Sequence, residues 1–168
     1  KTKKAFENVI ISTSESENNV EIYVVNDTFS EISDTLQIQL MDFSGTILSE
    51  ENELVISEPN SSSILKTFNL AEKEFDKNAT FLKITFGEQQ YLHYFSSTKN
   101  LKLKEAEINT RIINNRDGFL IKLQSETLQK DVFLDIDKKG KISDNFFDLL
   151  ITFFILIILN ILKLRKSI

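Results

Sequence analysis

A chain of 168 residues, 41% apolar and 27% charged, has the composition of ordinary globular protein and the length for one full domain or two small ones. Its net charge of -5, with 25 acidic residues against 20 basic, argues against the basic face that a phosphate backbone requires, so nucleic acid is not an expected partner. The absence of cysteine excludes a disulfide framework and any thiolate metal site, and leaves the compartment open.

The opening residues, KTKKAFENVI, run straight into a strand-like stretch without a signal-peptide pattern. Alternating runs rich in Val, Ile, Phe and Tyr then recur, and the period of two predicts an all-β chain. The clearest strands are Phe6 to Ser12, Val20 to Asn26, Leu36 to Phe43, Ile64 to Leu70, Phe81 to Phe86 and Gln89 to Phe95. Turns fall at Ser16 to Asn19, Ser44-Gly45, Glu58 to Ser61 and Gly87-Glu88. Between Leu36 and Leu40 alternation sets Leu36, Ile38 and Leu40 on a core face and the glutamines on the solvent face. Ala71 to Phe75, the one weak helical stretch, reads as a single turn between strands.

The polar run Ser96 to Asn100 marks a boundary, with units expected at residues 1–97 and 98–168. Lacking glycine and proline, this linker is expected to be short and stiff. A second strand set follows at Ile108 to Asn114, Phe119 to Ser125 and Val132 to Ile136. The fold class expected is thus two consecutive immunoglobulin-like β-sandwiches, the second either incomplete or closed by an atypical apolar tail over 151–168.

The segment Ser143 to Leu150, SDNFFDLL, resembles the closing segment of the β-mannosidases of glycoside hydrolase family 2. VEIYVVNDT (Val20 to Thr28) is similar to the central strand and turn of their immunoglobulin-like domain, and YLHYFSSTKNLKL (Tyr91 to Leu103) to the strand and linker that follow it. DGFLIKLQSETLQKDVFLDI (Asp117 to Ile136) resembles the paired strands of their terminal domain. The chain departs from the family where Ser96-Ser97-Thr98 replaces a proline-rich turn, and after Leu150, where the family turns through Pro-Gly into one more strand. The resemblance implies a non-catalytic C-terminal piece of a β-mannosidase that supports the catalytic barrel of the parent enzyme and contributes to homo-oligomer contacts. A (β/α)8 barrel needs on the order of 250 residues, so the carboxylate pair of such an enzyme has no place here and no catalytic residue is assigned. The rival reading is a free-standing binding or adhesion protein of tandem sandwiches, anchored by its tail.

No cofactor or metal residue is assigned either. Asp135 to Ser143 imitates a calcium loop, but Lys139 stands at a ligand position and Phe146 where the bidentate glutamate belongs. His93, the one histidine, shares a strand face with Tyr91 and Phe95 and reads as a packed side chain. Tyr23, Tyr91 and Tyr94, without any tryptophan, suit a core better than a sugar-stacking platform. The acceptor patterns at Asn26, Asn60 and Asn78 read as chance. Leu149 to Leu162 is apolar but for Thr152 and Asn160 and is followed by Lys163, Arg165 and Lys166. Fourteen residues fall short of the roughly 17–25 of a spanning helix, so Ile151 to Ile158 reads first as a closing strand, with a membrane anchor and an out-of-frame remnant as alternatives.

Overall fold

The computed structural model describes residues 7–71, 73–115, 118–134, 141–142 and 146–158, which form two compact units meeting in sequence at Lys102 and Leu103. The first unit holds seven strands, β1 (Val9–Glu15), β2 (Asn19–Asn26), β3 (Ile32–Asp42), β4 (Ile47–Ser57), β5 (Ser61–Asn69), β6 (Thr80–Phe86) and β7 (Gln89–Tyr94). They make a three-stranded sheet in the order β1-β2-β5 and a four-stranded sheet in the order β4-β3-β6-β7, antiparallel throughout. Alternation decides which residues meet between them. Val20, Ile22 and Val24 of β2 are fully buried, and with Phe68 of β5 they pack against Leu36, Ile38 and Leu40 of β3 and Leu82, Ile84 and Phe86 of β6.

Three hairpins and three crossovers connect these strands, and the hairpins show why the turn residues are what they are. In the β3–β4 turn the Asp42 carboxylate accepts hydrogen bonds from the N–H groups of Ser44 and Thr46, both at 2.9 Å, and from the Ser44 hydroxyl at 2.7 Å. The two-residue β6–β7 turn puts Gly87 at φ 57°, where a Cβ would also meet Asp34 Oδ2 at 3.0 Å. The solvent face expected for β3 holds only in part. Gln39 and Met41 are buried, because Gln39 Nε2 donates to Glu50 of β4 at 2.7 Å and the same face carries a run of rings, Phe43 to Phe81 at 6.1 Å and Phe81 to Tyr94 at 5.9 Å.

Strand β4 is absent from the strands that alternation predicts. It is an edge strand on which only Val55 and Ser57 are buried, so its charged run Glu50 to Glu53 shows no two-residue apolar period. Between β5 and β6 the expected turn is present as a bond from Lys73 N–H to Leu70 O, Glu72 lying outside the described residues. The polar stretch after β7 contains a 3-10 turn at Thr98–Asn100. Lys102 then donates its N–H to Asn78 O at 2.7 Å and its ammonium to Asp76 at 2.7 Å. These bonds fasten the chain to the first unit as far as Lys102.

In the second unit β8 (Asn109–Asn115), β9 (Gly118–Gln124), β11 (Lys141–Ile142) and β13 (Thr152–Ile158) form a sheet in the order β11-β13-β9-β8, and β10 (Gln129–Val132) pairs with β12 (Phe147–Leu149). The strand expected at Val132 to Ile136 runs earlier, over β10, and 135–136 lie outside the described residues. Leu123 packs with Phe147 and Leu149, flanked by Ile121, Val132 and Leu134. Of SDNFFDLL, residues 143–145 lie outside the described residues, and the rest alternates as a strand must, with Phe147 and Leu149 buried and Phe146 55% exposed. Asp148 has a different task. Gln129 pairs with Leu149 and Val132 with Phe147, so Lys130 and Asp131 together oppose Asp148 in a β-bulge. Its carboxylate accepts the Asp131 N–H at 2.9 Å, with Asp131 at φ 54°, and pairs with the Lys130 ammonium at 3.3 Å.

The closing-strand reading of the tail is the one observed. Residues Thr152 to Ile157 pair with Gln124 to Phe119 of β9, and β11 pairs on the other side. No helix among the described residues is long and apolar enough to cross a membrane, and 159–168, with the basic flank, lie outside them.

The two adjacent rings of the motif are expected to respond unequally to truncation. Phe147→Ala leaves a cavity beside Leu123 and Leu149 and is expected to cost the second unit about 3–5 kcal/mol, whereas Phe146→Ala, exposed and touching Phe133 at 4.7 Å, is expected to cost under about 1.5 kcal/mol. Denaturant unfolding of both variants checks this, and equal losses would contradict the assigned faces.

Candidate functional site

Three polar clusters stand out among the described residues, and each is built by strand geometry. The first is at Asn26, the fourth inward position of β2 after Val20, Ile22 and Val24. A polar side chain in that row is fully buried and must be satisfied where it sits. Its Nδ2 donates to the carbonyls of Ser30, Ser57 and Glu58 at 3.0 to 3.1 Å, and its Oδ1 accepts the Thr28 N–H at 3.0 Å and hydroxyl at 2.6 Å. Asn26 therefore joins the β2–β3 crossover to the β4–β5 crossover, and Asn60 N–H adds a bond to Thr28 O. The Asn26-Asp27-Thr28 pattern thus has a structural cause: its first and third residues form the knot. Removing the amide would strand the buried Ser57 carbonyl, at about 1–3 kcal/mol.

The second cluster surrounds His93 on β7, which the sequence places with Tyr91 and Phe95 and the structure buries against the Phe95 ring edge at 5.1 Å. Nε2 lies 3.2 Å from Glu15 Oε2 and Nδ1 lies 2.9 Å from the Thr13 hydroxyl, both on β1. A carboxylate only accepts, so Nε2 carries the proton and Nδ1 of the neutral ring accepts from Thr13. Lys77 pairs with the same carboxylate at 3.0 Å. Burial lowers the His93 pKa from its ordinary 6.5; Glu15 opposes this and Lys77 adds to it. The third cluster is the Asp148 bulge, with Phe146 and Phe133 beside it on the face away from Leu149.

The described carboxyls that shift move down, away from the raised pKa of a general acid. At Asp42 burial acts upward and is outweighed by hydrogen bonds from Ser44 and Thr46; at Glu50 the Gln39 amide, and at Asp76 the Lys102 ammonium, lead the lowering. Among the described residues no three His, Asp or Glu gather for a metal. The calcium-like run 135–140 lies outside them, as does Ser143. Tyr91 packs against the core, Tyr94 lies by Phe81, and Tyr23 donates to Glu21 at 2.8 Å. Among the described residues the exposed phenylalanine rings are Phe29, Phe133 and Phe146, and in an all-Phe set no sequence signal separates outward from inward rings.

Residues 18–127 match the family model described as Mannosidase Ig/CBM-like domain. The chain belongs to that family. Residues 103–152 match a second model, described as an Ig-fold domain, so the two matches overlap over 103–127. A crystal structure of a β-D-mannosidase from Dictyoglomus thermophilum superposes over 94% of this chain with a TM-score of 0.80 at 20% identity, a likeness of fold. The chain spans 20% of the length of that enzyme. No curated protein matches. This is therefore a chain of immunoglobulin-like domains of the β-mannosidase type, and among them no catalytic domain is found.

The His93 cluster sets a pH window for the first domain. Because the folded-state pKa lies below the unfolded value, the unfolded chain binds the extra proton, and stability is complete above about pH 6.5 and falls as pH drops below it. Urea midpoints are expected to decline from pH 7.5 to pH 5.5, with a flatter profile in His93→Gln. An unchanged slope in that variant would assign the decline to other groups.

Proposed function

We propose that this chain is the non-catalytic C-terminal part of a β-mannosidase, a retaining glycosidase that removes terminal β-linked mannose. What carries the reading is the pair of family matches taken with the 20% share of a β-mannosidase that the chain spans. In that role the two domains cover apolar surface of the catalytic barrel and brace the rim of its active site. The hydrolytic pair, two carboxylates about 5–5.5 Å apart, belongs to the barrel, and no residue of this chain acts on the glycosidic bond. The isolated chain is expected to show no turnover of an aryl β-mannoside, and an enzyme containing it is expected to lose stability when the chain is removed. Turnover by the chain itself after repurification would overturn the assignment of chemistry to the barrel.

The reading also divides the chain into domains at 1–97 and 98–168, joined through the polar stretch that ends in the first domain's grip on Lys102. From Leu103 to Glu107 the backbone is in no strand, with Lys104, Glu105 and Glu107 exposed. Limited proteolysis is therefore expected to cut first at Glu105 or Glu107, leaving a stable N-terminal fragment. First cuts within β3 or β9 would contradict this division.

A further inference from the structure

We draw no further inference here: the strongest candidate, the exposed surface patch of the Phe133 and Phe146 rings beside the β10–β12 bulge, carries nothing because nothing in the structure shows what covers it in a chain that spans 20% of the length of the solved enzyme it resembles.

Discussion

The first domain depends on the inward row of β2. Val20, Ile22 and Val24 are fully buried at the middle of the three-stranded sheet, and every strand of the facing sheet that contributes to the core does so against this row or its neighbours. The row ends in Asn26, and that placement sets the end of the sandwich. An apolar residue there would extend the core into a region where the chain must cross between sheets and expose carbonyls. The amide instead meets three of those carbonyls and fixes the Thr28 turn, so the core and the crossovers are terminated by one side chain.

Two sheets packed face to face leave two open sides, and polar contacts close both in this domain. On one side His93 of β7 reaches Thr13 and Glu15 of β1, with Lys77 on the same carboxylate. On the other, Lys66 of β5 reaches Glu51 and Glu53 of β4, and Lys73 reaches Glu51. The two sides differ in burial, hence in consequence. Exposed lysine and glutamate pairs are screened and contribute little. The buried imidazole is held neutral, so its side of the sandwich is the one that responds to mild acid.

How far the sequence revealed this follows from what alternation can report. Strands with one apolar face, such as β2 and β6, were legible because burial writes a period of two into them. β4 was not, because an edge strand needs no apolar face, and its eleven residues were hidden behind a charged run. The burial of Gln39 was equally invisible, since it depends on Glu50, a residue of that unrecognised strand. The family likeness located SDNFFDLL as informative but not why: alternation accounts for Phe147 and Leu149, while Asp148 answers a bulge in β10 that leaves no mark in the sequence beyond Lys130-Asp131. His93 could be assigned to a packed face, but its partners lie some eighty residues earlier on β1, a separation no local pattern spans.

The second domain shows the limits that packing sets on a substituted segment. Just past Leu150, Ile151 sits at φ 25° with its carbonyl accepting the Ser125 N–H at 2.9 Å. A β-branched residue in that region is strained by about 1–3 kcal/mol, a cost glycine would avoid. The strain persists because both neighbours are fixed: Leu149 is fully buried in β12, and the pairing of β13 with β9 begins at Thr152. The chain must therefore change sheets within two residues, whatever occupies them. That constraint also explains how so unusual a tail is accommodated. β13 pairs with β9 from Thr152 to Ile157 and with the two-residue β11 at Ile157 and Ile158, and its β-branched and aromatic residues have the propensity of a strand. The apolar run that first suggests a membrane segment is thus paired as a strand as far as Ile158.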